Sequence, residues 1–102
     1  MQPKELAERI AQGHPPVVID VRTGFEFKAG HIPGAINAPV WKILLRLARL
    51  PQDKGAELVV LCELGPRAVM GKALLGFLGF SNITLLEGHM AFWRRSGLPM
   101  VN

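Results

Sequence analysis

The segment LVVLCELGPRAVMGKALLGFLGF, residues 58–80, joins a strand, a short loop and a helix, and it decides the fold class of this chain. Its first four residues, 58–61, are an apolar run typical of a strand buried in a parallel sheet. Gly65 and Pro66 follow, and proline suits a first helical turn because its missing N–H is not needed there. Apolar residues then continue to Phe80. This strand–loop–helix unit is the building block of α/β folds.

The same alternation continues on both sides of this segment. Further strands are predicted at residues 17–21, 35–38 and 83–86. Helices are predicted at 3–12, in a short stretch after Thr23, at 40–50, at 66–79 and from Gly88 to Ser96. In the helix at 40–50, we expect Ile43, Leu44, Leu47 and Leu50 to face inward. The alternation predicts an α/β fold with a central, mainly parallel sheet.

Length and composition indicate one globular domain, residues 1–102. The chain is 49% hydrophobic and 20% charged, which is enough apolar material for a core of its own. Its single cysteine excludes an internal disulfide and a four-cysteine zinc site. His14, His31 and His89 have no metal-ligand spacing with that cysteine. We therefore expect no metal site.

The formal charge of +4 favours anionic small molecules or acidic partner surfaces. Basic residues are scattered and tyrosine is absent, so no nucleic-acid-binding array is predicted. The polar N-terminus lacks the apolar core of a signal peptide, and no apolar stretch approaches the roughly 20 residues of a membrane span. A cytoplasmic location is expected, which also fits the low cysteine content.

Cys62 lies directly after the strand at 58–61 and before a helix start. Backbone N–H groups at a helix start stabilise an anion, and the thiolate is the reactive form of cysteine. A lone cysteine is otherwise often a small buried hydrophobe. The Gly65-Pro66-Arg67 turn favours the reactive interpretation. Sites in parallel sheets lie at the carboxyl ends of strands, so residues 20–22 and Cys62 are expected at one edge.

Three motifs, in order, resemble the rhodanese domain over nearly the whole chain. The first runs through IDVRT at 19–23 and GHIPGAIN at 30–37, and the second is the loop from Cys62 to Arg67. The third is LEGHMAFW at 86–93, followed by Gly-Leu-Pro. The resemblance implies a rhodanese-like α/β fold, with about four to five mainly parallel strands flanked by helices on both faces.

The resemblance also implies a sulfurtransferase that needs neither cofactor nor metal. Cys62 takes a sulfane sulfur from thiosulfate or a persulfide, holds it as a persulfide, and passes it to cyanide or a thiol. The backbone of the loop binds the anion. Its residues are Glu63, Leu64, Gly65, Pro66, Arg67 and Ala68. The alternative is a persulfide relay or a regulatory sulfur-carrier module, which passes sulfur to an accepting protein and turns over little thiosulfate.

A phosphatase or arsenate reductase is the third hypothesis. Related phosphatases place five residues between cysteine and arginine, whereas four separate Cys62 from Arg67, and the shorter loop favours a single sulfur atom. Arg67 is expected either to supply positive charge for the donor anion or to pin the loop. The alternative is that its side chain is solvated and has neither role. The Glu63 side chain is expected to be solvent-exposed and uninvolved, the alternative being that it selects a thiol or amine acceptor. His89 stands where rhodanese domains commonly carry a second glycine after Gly88. It is expected to be a tolerated loop residue, the alternative being an anion contact or proton donor.

Five further side chains have predicted structural roles. Asp20 is expected to fix loops through hydrogen bonds, and Arg22 to pair with Glu26 or to face the pocket. His31 is expected to stabilise a turn. Trp93 and Phe92 are expected in the core rather than against substrate.

Overall fold

The protein is described from a computed structural model that covers residues 1–102. Helices and strands alternate along the whole chain, as the sequence predicts. In chain order they are α1 (Pro3–Ala11), β1 (Val17–Asp20), α2 (Gly24–Ala29), β2 (Ile36–Asn37), α3 (Val40–Leu44), β3 (Leu58–Leu61), α4 (Pro66–Phe77), β4 (Ile83–Leu85) and α5 (His89–Arg95).

The four strands form one parallel sheet in the order β2-β1-β3-β4. Within the central pair, Val17 lies opposite Leu58 and Asp20 lies opposite Leu61. All four residues of β3 are buried, as expected of a central strand covered on both faces. The predicted α/β class and the parallel sheet are confirmed. The sheet has four strands, within the expected range of about four to five.

Side chains of β3 alternate between two hydrophobic cores, one on each face of the sheet. Leu58 and Val60 belong to the first core, which α3 and α4 cover with Ile43, Ala68 and Leu75. Val59 and Leu61 belong to the second, which α1 and α5 cover with Leu6, Met90 and Trp93. Because α4 and α5 pack on opposite faces beside β3, both helices border the loop that leaves its carboxyl end.

Helix α3 is shorter than predicted, and its end has a clear cause. The expected helix at 40–50 stops at Leu44, because Arg46 adopts a left-handed conformation with φ of 59°. The N–H of Leu47 then bonds the carbonyl of Lys42, and the N–H of Arg46 bonds that of Ile43, which is a Schellman ending. Ile43 is buried as predicted. The inward placement of Leu44 and Leu47 is wrong, since they are 64% and 62% exposed.

None of the helices is both long enough and apolar enough to cross a lipid bilayer.

Candidate active site

The carboxyl ends of β1 and β3 meet at one edge of the sheet. The N–H of Val21 bonds the carbonyl of Leu61 at 3.0 Å, so the two strands remain paired to their last residues. Arg22 and Cys62 therefore leave the sheet side by side. This confirms the expectation that residues 20–22 and Cys62 share one edge.

The loop from Cys62 to Gly65 turns the chain from β3 into α4. The N–H of Gly65 donates a hydrogen bond of 3.0 Å to Sγ of Cys62. Gly65 has φ of 131°, a conformation that side-chain-bearing residues rarely adopt, so the turn requires glycine there. Cys62 itself is only 1% exposed.

Other predicted loop residues occupy distinct places. Leu64 is 76% exposed and points away from the core. Pro66 is exposed and is the first residue of α4. Ala68 is fully buried, so its side chain serves the core. Arg67 and Ala68 stand in the first turn of α4, where N–H groups lack intrahelical acceptors and remain available to an anion.

The first turn of α5 supports the loop from the other side. The N–H groups of Met90 and Ala91 bond the carbonyls of Cys62 and Glu63, at 3.0 and 3.2 Å. The N–H of Cys62 donates to Nδ1 of His89 at 3.2 Å. Two backbone bonds and one side-chain bond thus fix the start of the loop to α5.

His89 is in the site, and the expectation of a tolerated loop residue is wrong. It is 9% exposed, and burial lowers the pKa of its imidazole below the usual value. Because an amide can only donate, Nδ1 accepts and the neutral ring carries its proton on Nε2. The sequence signal for this residue was its departure from the glycine expected after Gly88.

Glu63 is half-buried and ion-paired, not fully exposed to solvent as the sequence suggests. Its carboxylate accepts two hydrogen bonds from Arg94, at 2.8 and 3.3 Å, and lies 3.5 Å from Nη1 of Arg22. The Arg94 guanidinium, foremost among these contacts, holds the pKa of this carboxyl below its usual value. The negative charge next to Cys62 in the chain is therefore neutralised.

Arg67 forms a bidentate pair with Glu26 of α2, with N···O distances of 2.7 and 3.1 Å. Glu26 also accepts from the N–H and hydroxyl of Thr23, while Thr23 caps α2. These bonds, that of Arg67 foremost, lower the pKa of Glu26 to about 2. Arg67 thus ties the start of α4 to α2, and the solvated alternative is wrong.

Arg22 pairs with Asp20, and the predicted pairing with Glu26 is wrong. Both side chains are buried, with Nη2 of Arg22 at 2.8 Å from Oδ2 of Asp20 and from the carbonyl of Gly30. Asp20 also accepts the N–H of Arg22 at 3.0 Å. The predicted structural role of Asp20 is confirmed.

Of the remaining predictions for aromatic and histidine side chains, two are confirmed and one is wrong. His31 stacks on Phe27, with ring centroids 3.6 Å apart, and its Nδ1 lies 2.8 Å from the Phe27 carbonyl, which confirms a turn-stabilising role. Trp93 is fully buried in the core as predicted. Phe92 is 40% exposed, so its core placement is wrong.

A mainly apolar groove of about 400 Å³ lies beside the loop, between α3 and α4. Val21, the neighbour of Cys62 across the sheet edge, forms part of its wall. Its lining also includes Thr23, Trp41, Leu44, Arg67 and Met70. A larger cavity of about 520 Å³ lies along α4 toward Phe80, away from Cys62. No cluster of histidine, cysteine, aspartate and glutamate side chains has the arrangement of a metal site.

The fold and the site together define an α/β protein with a candidate nucleophile, a cysteine in a strand-end loop that packs against two helices. Comparison with known proteins identifies the family. Residues 2–96 match the rhodanese-like domain family. A sulfurtransferase from Allochromatium vinosum is 32% identical over 98 residues, covering 96% of this chain and 90% of that protein. The crystal structure of a rhodanese-related protein from Thermoplasma volcanium matches with a TM-score of 0.82 at 31% identity, covering 99% and 95% of the two chains.

The thiosulfate sulfurtransferase PspE of Escherichia coli is 31% identical over 65 residues, covering 64% of this chain and 62% of that protein. Three further relatives are longer, and the chain spans 54%, 36% and 25% of their lengths. The chain belongs to the rhodanese-like domain family. Its sulfurtransferase relatives support sulfur transfer as the general activity.

Proposed function

We propose that the protein is a sulfurtransferase in which the Cys62 thiolate is the nucleophile and carries the sulfur as a persulfide. The observation that carries the proposal is the 3.0 Å hydrogen bond from the Gly65 N–H to Sγ. A donor aimed at this sulfur stabilises both the attacking thiolate and the persulfide anion. Cys62 is the only thiol in the chain, so no other side chain can carry a persulfide.

In the first half-reaction, Sγ attacks the terminal sulfur of the donor. With thiosulfate, a new S–S bond forms on Cys62, the S–S bond of thiosulfate breaks, and its electron pair leaves with sulfite. Because Cys62 is 1% exposed, a slim terminal sulfur reaches Sγ more readily than a bulky centre does. Thiosulfate as donor is supported by the similarity to PspE, a thiosulfate sulfurtransferase.

In the second half-reaction, an acceptor attacks the outer sulfur of the persulfide. Cyanide forms thiocyanate, whereas a thiolate forms a new persulfide, and in both cases the electron pair of the broken S–S bond returns to Sγ. N–H groups between Glu63 and Ala68 bind the anion in both half-reactions. Arg67 pins this segment through Glu26, and its charge is largely compensated by that carboxylate.

A persulfide relay is the second candidate, and the pairing of the arginines favours it. Each arginine near the loop is matched to a carboxylate: Arg22 to Asp20, Arg67 to Glu26 and Arg94 to Glu63. No unpaired arginine therefore remains there to attract the thiosulfate dianion. In this candidate the donor is a persulfide, and the acceptor is a thiol of a sulfur-accepting protein.

The first test is thiocyanate formation from thiosulfate and cyanide by the wild type and Cys62→Ser. Turnover that is lost in Cys62→Ser supports Cys62 as the nucleophile, and turnover that survives would overturn it. The double variant Cys62→Ser/Ser96→Cys is the matched control, because it places a thiol on an exposed site outside the loop. We expect this control to be inactive.

Intact mass spectrometry separates the enzyme from the relay. The protein is incubated with thiosulfate or with a low-molecular-weight persulfide, and a mass increase of one sulfur atom is sought. Loading by both donors with rapid turnover supports the enzyme. Loading by the persulfide alone supports the relay, and loading by neither would exclude both.

A further inference from the structure

His89 adopts a backbone conformation that normally favours glycine. Its φ of 51° lies in the left-handed region, and it directly follows Gly88, which also has positive φ. Only one other side-chain-bearing residue, Arg46, has positive φ. A histidine retained in such a conformation needs a compensating contact, and the ring makes it.

The imidazole of His89 contacts both ends of the turn around Cys62. Nδ1 accepts the N–H of Cys62 at 3.2 Å. On its other side, Nε2 lies 3.3 Å from the position that a Cβ on Gly65 would occupy, so the ring packs against the Gly65 backbone. Gly65 is the residue whose N–H reaches Sγ.

We propose that His89 is a positioning residue for Cys62. Its ring contacts both the Cys62 amide and the Gly65 backbone, and it thereby fixes the distance between them. That distance sets the hydrogen bond from the Gly65 N–H to Sγ of Cys62. This inference rests on the proposed function, because it matters only if Sγ carries the sulfur. The side-chain acceptor at Nδ1 is the feature that glycine at this position would lack.

Titratable and charged groups from three parts of the fold border the loop that His89 contacts. The loop itself carries Cys62 and the Glu63 carboxylate. Helix α5 contributes Arg94, which neutralises Glu63, and Arg22, which follows β1, faces the same carboxylate. Glu87 precedes the helix and is exposed. Protonation of Nδ1 removes the acceptor, so acid should release the Cys62 amide.

Asparagine and glycine at position 89 separate the acceptor from the backbone conformation. Both residues tolerate positive φ, but only asparagine keeps an acceptor, since its Oδ1 is bonded to Cγ as Nδ1 is. We expect His89→Asn to keep kcat/KM for sulfur transfer within about threefold of wild type, and His89→Gly to lose about tenfold. If His89 only fills a strained position, His89→Gly will match or exceed wild type, which would overturn the proposal.

Amide hydrogen exchange by NMR tests the same contact without any sulfur transfer. The Cys62 and Gly65 amides should exchange about tenfold faster in His89→Gly than in His89→Asn, with the amide of Val59 in the central strand as the control for global folding. Equal exchange in the two variants would overturn the proposal even if the protein transfers sulfur. A wild type that forms no persulfide would overturn the proposed function, while the exchange comparison would still report the contact.

The pH dependence is a further readout. Loss of transfer in acid that comes from His89 should be present in the wild type and absent in His89→Asn. Identical acid limbs in the two proteins would contradict the role of Nδ1.

Discussion

Asp20 and Arg22 form a buried ion pair at the end of β1, with Nε of Arg22 3.0 Å from Oδ1 and Nη2 2.8 Å from Oδ2 of Asp20. The exposed fractions of the two side chains are 0% and 2%. Arg22 also bonds the Gly30 carbonyl and approaches Glu63, so the pair connects the sheet edge to two loops. A charge buried in this way depends strongly on its partner.

Substitution of Arg22 by methionine should therefore destabilise the fold severely. It leaves the buried Asp20 carboxylate without its partner, which costs about 3–5 kcal/mol. The free energy of unfolding in urea measures this loss. Arg9→Met is the matched control, because Arg9 forms a comparable bidentate pair with Glu57 on the surface. Equal losses in the two variants would contradict the burial argument.

Gly65 should not tolerate a side chain. Alanine there must adopt φ of 131°, and its Cβ would lie 3.3 Å from Nε2 of His89. We expect Gly65→Ala to lower the free energy of unfolding by about 1–3 kcal/mol and to reduce sulfur transfer by displacing the N–H that bonds Sγ. Urea unfolding and thiocyanate formation measure the two effects.

Gly76→Ala is the control for the glycine prediction. Gly76 lies within α4, and a Cβ there meets nothing within 4 Å. Alanine favours the helix, so this variant should gain about 0.5–1 kcal/mol and keep its activity. If Gly65→Ala and Gly76→Ala change stability and activity alike, the backbone conformation of Gly65 does not cause the losses in Gly65→Ala.

The fold could be predicted from the sequence because its strongest signals are local. Strand β3 is apolar at all four positions, and Gly65 and Pro66 mark the turn into α4. The sequence does not show the end of α3, because the leucine spacing continues beyond it. No glycine marks the position where Arg46 takes positive φ, so the ending is visible only in the backbone.

The site is only partly predictable from the sequence, because its ion pairs join residues that lie far apart in the chain. The position of Cys62 at a strand end follows from its sequence neighbours. In contrast, Glu63 meets Arg94 across 31 positions and Arg67 meets Glu26 across 41, which composition and periodicity cannot show. The contact of His89 with Cys62 spans 27 positions and is hidden for the same reason.

Glu26 should make stability depend on pH in acid. Its pKa is about 2 in the folded protein, below the usual 4.5. The stabilisation is complete above about pH 4.5 and is lost as pH falls toward 2, because the unfolded chain then binds the proton more readily. Urea unfolding from pH 6 to about 2.5 should show this loss in the wild type and less of it in Glu26→Gln. Glu8→Gln, at an exposed helix position, is the control and should follow the wild type.

Arg67→Lys tests whether Arg67 pins the loop or attracts the donor. Lysine keeps the positive charge but cannot form the bidentate pair with Glu26. If pinning is the role, Arg67→Lys and Arg67→Met should both lose about three- to tenfold in kcat/KM for thiosulfate, and Glu26→Gln should lose a similar amount. Activity that survives in Arg67→Lys but not in Arg67→Met would show instead that charge matters. Because Glu26 already compensates that charge, we expect the two arginine variants to behave alike, with little difference between low and high salt.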